Sequence, residues 1–473
     1  MSTIKHPPIQ VHLSQHLKRY PLNTFVVACS GGVDSLVLLH EISALVRSEQ
    51  IVNDVIVCYV DHGLSEHARD WHHFVKGQCQ QLDLPFIGKQ VSLNKDSNQS
   101  LEAQARNARY CVLKEVAGEQ GVVITAHHQD DQVETFLLAL KRGAGVKGLA
   151  AMATDSQLIT EHGKLSIVRP LLNVSRDVIE QRAKALDLTW VEDESNLDQQ
   201  FDRNFLRQTI IPLLNQRWTG IGQAIARSAG HCQDAQLLLD EIARADLAKC
   251  LTQNERLSID SLLTLSSSRF NYVIRYYLAQ KHQLMPSSHV LAQIKTQILA
   301  DHDKTPQVKV GQKWLRRFRN ELVLTNDFAD VSHWQQAINF NEIINTSVTV
   351  RLPDNLGEII FSLANAHDED LPSEQNHCLL LPETTDQLTL SFSHKNPVCL
   401  PDYRQHSRVL KKVLQELEIP PWQRKRIPLL FVQEHLVSAI GHFVCQPYSV
   451  EHQSVSSQRI KINVRWLASD NSG

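Results

Sequence analysis

Residues 25–40 read FVVACSGGVDSLVLLH: an apolar run, a glycine-centred turn and the start of an apolar helical stretch. This order predicts a buried strand that feeds a helix through a phosphate cradle. Gly31 and Gly32 can take the backbone angles that turn successive N–H groups inward, through Val33 and into the helix. The first turn of that helix offers unpaired N–H groups and a positive dipole end to an anion. Ser30 and Ser35 add hydroxyl donors, and Asp34 is placed to hold a magnesium ion that neutralises phosphate charge. Ser, Gly and Asp also build ordinary strand-to-helix turns. The argument therefore rests on the whole hexapeptide and on its context.

The hexapeptide is not of the Walker type, which needs GxxxxGK[ST] and a lysine on the terminal phosphates. SGGVDS instead resembles the pyrophosphatase loop of the ATP alpha-hydrolase superfamily, whose members transfer AMP to an acceptor and release pyrophosphate. That resemblance implies adenylylation and not kinase chemistry.

A chain of 473 residues has room for two to four domains with ample core. With 42% hydrophobic and 21% charged residues, little of it need be disordered. The 9 cysteines are scattered singly with no CxxC pair, as expected of reduced thiols and not of a disulfide frame or a zinc site. No apolar signal core or membrane-length run is present, so a cytoplasmic protein with no membrane partner is expected.

Net charge is −3, so a polyanionic partner is not announced by the total, but charge is segregated along the chain. Residues 308–320 carry Lys309, Lys313, Arg316, Arg317 and Arg319 with no acid, interleaved with Trp314 and Phe318. Residues 352–388 hold eight acids and no Lys or Arg, whereas residues 402–426 hold seven basic residues against three acidic ones. Such a pattern suits a protein that meets a nucleic acid on selected faces.

Apolar runs at 24–28, 55–60, 85–91, 122–126 and 165–168 alternate with helical stretches at 36–46, 68–82 and 101–119. This predicts an α/β fold, a mostly parallel sheet covered by helices on both faces, with ligands at the carboxyl ends of the strands. Three motifs follow that rule: Ser30 to Ser35 after the first strand, Asp61-His62-Gly63 after the second, and His127-His128-Gln129-Asp130-Asp131-Gln132 after the fourth. They are expected at one edge, with carboxylates beside a phosphate loop. Gly143 to Gly148 matches GxGxxG but follows a predicted helix, which excludes the dinucleotide fingerprint. Arg203 and Arg207 stand four apart before Ile210, so on one helix face both could clamp a phosphate chain.

Together these motifs resemble the tRNA(Ile)-lysidine synthase family: SGGVDS; DHGL at 61–64; AHHQDDQVETFLL at 126–138, with KRGAGVKGL after it; and RNFLR at 203–207. Residues 217–239 are similar to the family's following helix, and 410–441 to the extra carboxyl-terminal domain of its longer members. One departure is Ser65, where the family usually has a basic residue after the leucine. The resemblance implies a PP-loop catalytic domain, a helical domain and an α+β carboxyl-terminal domain, expected at 1–216, 217–330 and 346–473, with 327–345 as a connector. It further implies an ATP- and Mg2+-dependent ligase. With free L-lysine, such an enzyme converts the wobble cytidine of tRNA(Ile) with a CAU anticodon to lysidine. ATP would lie against Ser30, Gly31, Gly32, Val33, Asp34 and Ser35, with Asp34 on the metal and Arg203 and Arg207 on phosphate. Asp61, Asp130 and Asp131 are all candidates for handling the lysine amine, Asp131 first. A sulfur-transferring tRNA enzyme would share the loop but need a carrier cysteine, for which Cys79 and Cys111 are the nearby candidates. A metal-dependent phosphoesterase using DHG and HHQDD would leave SGGVDS unexplained.

Overall fold

The computed structural model describes residues 9–63, 65–93, 101–194, 198–299, 306–364, 376–451 and 458–469, with the side chain of Glu102 left aside. The chain divides into two compact units, 1–241 and 242–473, the division falling within one long helix, Ile221–Cys250. Among the described residues no helix is long and apolar enough to cross a membrane.

The first unit alternates strands and helices. It runs α1 (Ile9–Leu17), β1 (Phe25–Ala28), α2 (Val33–Arg47), β2 (Val55–Asp61), α3 (Ala68–Leu82), β3 (Phe86–Gln90), α4 (Leu101–Ala117) and β4 (Val122–Ile124). It continues through α5 (Gln129–Lys141), α6 (Val146–Leu149), β5 (Asp155–Thr160), β6 (Gly163–Val168) and α7 (Arg176–Ala185). The sheet order is β3-β2-β1-β4-β6-β5, parallel except for β5, which pairs antiparallel with β6. The five expected strands are present. The hairpin strand β5 was not foreseen, because at the sheet edge its residues are only half-buried and carry no apolar run.

The period-two rule explains why the sheet is covered twice. Phe25 and Val27 of β1, Val57 and Tyr59 of β2, and Val122 and Ile124 of β4 enter one core with α1, α2, α3 and α7. Val26, Cys58 and Val123 point the other way, onto Tyr110, Leu113 and Ala117 of α4. Strands buried on both faces read as continuous apolar runs, as these do. The chain leaves β1 for β2 on one side, while β4 lies on the other. The switch point where a crevice opens is therefore between the carboxyl ends of β1 and β4. GAGVKG follows α5 and runs into α6, with no strand before it.

The second unit holds helices Ser267–Gln280 and Ser288–Ile298 against an antiparallel sheet of Leu257–Ser258, Glu321–Asn326, Lys313–Phe318 and Gln307–Val310, in that spatial order. Three further antiparallel sheets, of five, four and two strands, follow. The stretch expected to be a connector contains a strand, Gln335–Asn339, and a helix, Phe340–Asn345. Ile338, Phe340 and Ile343 are buried in the carboxyl-terminal core, and Trp334 packs on Phe392 with ring centres 5.5 Å apart. Phe361, fully buried in that core, lies on strand Glu358–Leu363. Phe361→Ala is expected to cost about 3–5 kcal/mol of stability. Urea unfolding followed by tryptophan fluorescence checks this, and an unmoved midpoint contradicts the packing described.

Candidate active site

Gly31 has φ of +89°, and a Cβ there would lie 2.8 Å from Val191 Cγ2, so only glycine passes this point without strain. Gly32 then leads into α2 as its amino-terminal cap. Ser35 Oγ donates to the Gly32 carbonyl at 2.9 Å and lies 3.4 Å from Ser30 Oγ, which closes the loop on itself. Asp34, in the first turn of α2, emerges at the crevice.

On the β4 side, α5 starts with a reciprocal cap. The His128 N–H donates to Asp131 Oδ2 at 3.0 Å, and His128 Nδ1 accepts from the Asp130 N–H at 3.3 Å. With Nδ1 an acceptor, the proton of a neutral ring sits on Nε2. That atom lies 3.6 Å from Asp34 Oδ1 and 3.5 Å from Asp131 Oδ2. His128 therefore joins the acids of the two loops. Burial opposes its charging, but Asp130, Asp131 and Asp34 outweigh that and hold its pKa above the ordinary 6.5.

Two arginines complete the acidic wall. Arg176 Nη1 lies 2.5 Å from Asp34 Oδ2, and the Arg176 N–H donates to Asp130 Oδ1 at 3.2 Å, so Asp130 caps α7. Arg207 reaches Asp131 Oδ1 at 3.3 Å and Glu134 Oε1 at 2.7 Å. Burial pushes the Asp34 carboxyl above the usual range against the pull of His128 and Arg176. For Asp131, burial acts upward, but His128, His127 and Arg207 hold it below. Glu134 is fully buried and its pKa is raised, by burial foremost, despite Arg207. Asp34 Oδ1 and Glu134 Oε2 are buried without a hydrogen-bond partner. Each is an acceptor without a donor, a costly state in a closed interior and an apt one for an incoming cation.

Beside this lies a cationic wall. Arg106 and Arg109 stand over the Tyr110 ring at 5.1 and 5.3 Å, while Arg169 is anchored by Ala153 O and Ser156 Oγ. None of the three, nor Arg203, has a carboxylate partner among the described residues. His127 separates the walls: burial first, then Arg169, Arg109 and Arg106, push its pKa down to about 3 against Asp131.

Asp130, Asp131 and Asp34 thus come together as expected. Asp61, at the end of β2 on the far side of β1, instead accepts from the Gly63 N–H at 2.7 Å, in a tight turn of its own. Leu64 of DHGL lies outside the described residues. Arg207 is engaged by Asp131 and Glu134, whereas Arg203, which also acts on Glu134, has no ion pair among the described residues. Arg203 is in α8 (Asp202–Phe205), Arg207 falls in a π-helical turn at Leu206–Ile210, and α9 (Ile211–Arg217) resumes the chain. Pro212 has no N–H to donate backward, which fits the wider turn before it. That turn sends Arg207 onto two carboxylates, leaving Arg203 with the unpaired cations. Cys79 is buried and its thiol is pushed up to about 12 by burial, which disqualifies it as a sulfur carrier. Cys111, on α4, is half-buried.

Sequence reading missed Glu134, Arg176, Arg106, Arg109 and Arg169. Signals existed: Glu134 is three residues from Asp131 and so shares its face, as Arg109 does with Arg106. Arg176 is a cation in the first turn of a helix, where it opposes the dipole unless something else holds it. For Arg169 nothing local pointed to the site.

A phosphate cradle at the switch point of this sheet, facing paired carboxylates, defines the PP-loop class of ATP-using enzymes. Residues 5–214 match the family model for the PP-loop domain, 257–323 that for the TilS substrate binding domain, and 388–463 that for the TilS substrate C-terminal domain. The chain is 39% identical over 434 residues to the tRNA(Ile)-lysidine synthase of Histophilus somni (strain 129Pt), covering 91% of this chain and 98% of the relative. To that of Vibrio vulnificus (strain YJ016) it is 38% identical over 436 residues, covering 92% and 95%. The chain belongs to the tRNA(Ile)-lysidine synthase family. A more distant likeness, in fold alone, is to a U34-tRNA thiolase from Methanococcus maripaludis, with 18% identity, TM-score 0.39, and 47% of this chain and 77% of that chain covered.

The raised pKa of His128 gives a signed pH dependence. Its contribution to stability is full below 6.5 and is lost as pH rises through the higher folded value. His128→Asn keeps a capping side chain but cannot titrate. The difference in unfolding free energy between wild type and this variant should therefore be largest below pH 6.5 and shrink above it. Denaturant titrations from pH 5 to 9 check this, and a difference that grows with pH contradicts it.

Proposed function

We propose that this chain uses ATP to attach free L-lysine to the wobble cytidine of tRNA(Ile) with a CAU anticodon, forming lysidine and moving codon reading from methionine to isoleucine. The observation that carries the reading is the join made by His128 between the PP-loop and a buried carboxylate pair, in a chain of this family.

In the first step the cytosine C2 oxygen attacks the α-phosphorus of ATP and pyrophosphate leaves. The loop N–H groups and the hydroxyls of Ser30 and Ser35 position the phosphates, and Arg106, Arg109, Arg169 and Arg203, without an ion pair among the described residues, receive the charge that accumulates on the leaving group. Asp34, whose Oδ1 is buried without a hydrogen-bond partner, would hold a magnesium ion beside the phosphate loop. When bound, such an ion would neutralise phosphate charge.

In the second step the lysine Nε displaces AMP at C2, for which the ammonium must lose a proton. Asp131, kept ionised by its neighbours, suits ammonium binding. Glu134, with a raised pKa and a free oxygen, suits proton acceptance. On that support we take Glu134, in place of Asp131, as the proton acceptor, and Asp130, which accepts from the Arg176 N–H, as a cap of α7. Asp61 enters neither step.

We take the catalytic domain as 1–216, with 217–330 and 346–473 as tRNA-holding domains, in a cytoplasmic enzyme.

Asp34→Ala should abolish AMP transfer to tRNA while the fold persists; transfer of labelled AMP near the wild-type rate contradicts the assignment. Asp131→Asn and Glu134→Gln should slow the lysine step by about 10²–10⁴-fold while adenylylation continues, so adenylylated tRNA accumulates. If both steps fall equally, these acids serve ATP or the fold.

A further inference from the structure

The basic strip of the second unit is not an open cationic face. Arg317 donates to the carbonyls of Ile298 and Arg319, and Arg319 pairs with Glu418 at 2.6 Å. Lys309 pairs with Asp327 at 3.2 Å. Arg316 differs. Its guanidinium lies 5.3 Å from the Phe328 ring centre, 5.4 Å from Trp422 and 6.0 Å from Trp314. Its Nε is buried without a partner, and no carboxylate lies within ion-pair distance among the described residues. Three aromatic faces hold this cation, but none of them neutralises it.

Arg316 lines a cavity of about 500 Å3 between the sheet that carries it and the short helix Pro421–Arg424. Phe328, Trp422, Lys425, Arg426 and Asp330 share the wall. Arg426 is neutralised by Asp354 at 2.6 Å, whereas Lys425 is exposed and has no ion pair among the described residues. The cavity thus offers two cations with no ion pair among the described residues, against one carboxylate, Asp330, together with the Trp422 ring, in a volume typical of a small-ligand site, about 300–1,000 Å3. Unpaired cations call for an anion, and ring walls call for a flat π system on that anion. An acidic peptide answers the first requirement alone, whereas a nucleotide answers both. Resting on the function proposed above, which makes an RNA the macromolecular substrate, we propose that this cavity receives an unstacked nucleotide of the tRNA. Its phosphate lies on Arg316 and Lys425 and its base against Trp422, since Arg426 at 4.4 Å and Arg316 at 5.3 Å already cover the Phe328 ring. The sheet belongs to the residues matching the substrate binding domain, and the helix to those matching the C-terminal domain, so one nucleotide would tie the two together.

The test uses full-length protein and transcribed tRNA(Ile). Filter binding at two salt concentrations should show Trp422→Leu weakening tRNA binding about tenfold. Lys425→Gln, at an exposed residue and so safe for the fold, should flatten the slope of log affinity against log salt by about 0.7, one single-strand phosphate contact. Ultraviolet irradiation of bound labelled tRNA should cross-link the peptide containing Trp422. Wild-type salt slope in Lys425→Gln together with no cross-link at that peptide overturns the proposal. Displacement of the cross-link by excess ATP also overturns it, by giving the cavity to free nucleotides. Lysine-dependent release of AMP by the wild-type enzyme is measured alongside. Its absence would refute the function while leaving the cavity to be judged by binding and cross-link.

Discussion

Four carboxylates crowd the carboxyl edge of one parallel sheet, and the site depends on how their charge is balanced. Asp34, Asp130, Asp131 and Glu134 come from two helices, α2 and α5, and left alone they would repel one another or take up protons. His128 bridges Asp34 and Asp131, Arg176 holds Asp34 and caps through Asp130, and Arg207 spans Asp131 and Glu134. Three cationic groups thus serve four acids, and two buried oxygens are left over. The acidic wall is poised to accept further positive charge, and the arginine wall beyond His127 to accept negative charge. A reaction that brings a polyphosphate and an ammonium together needs that division.

The division follows from topology. Because β1 is central, with β2 and β4 on opposite sides, the loops after β1 and β4 face one crevice, while Asp61 at the end of β2 lies on the far side of β1. Asp61 stood among the candidates, behind Asp131, when only distance from a strand end was considered; the strand order sets the two on opposite sides of β1. The π-helical turn before Pro212 likewise decides what Arg207 touches, since an uninterrupted α-helix would keep Arg203 and Arg207 on one face.

Legibility in the sequence tracked how local each cause was. The strands β1 to β4 and the loop Ser30–Ser35 are written in contiguous residues, and they were readable to within a few positions. The edge strand β5 was not, because its partner supplies what its sequence lacks. Glu134 was hidden in an apolar helical run that reads as core, and its burial comes from tertiary packing. The basic strip was visible as composition, but its pairing with Glu418 and its enclosure by Trp422 come from a segment about a hundred residues away. Charge runs report how many cations there are and not which are already spent.

The order of steps is the central claim: activation of the tRNA by ATP comes before lysine, at a site where the two meet separate walls. The direct measurement is a single turnover with excess enzyme, labelled ATP and tRNA(Ile), without lysine. The account predicts release of pyrophosphate and capture of AMP on the tRNA, both close to one per tRNA, followed by release of that AMP when lysine is added. No pyrophosphate before lysine is added, or AMP found on lysine and not on tRNA, would contradict it.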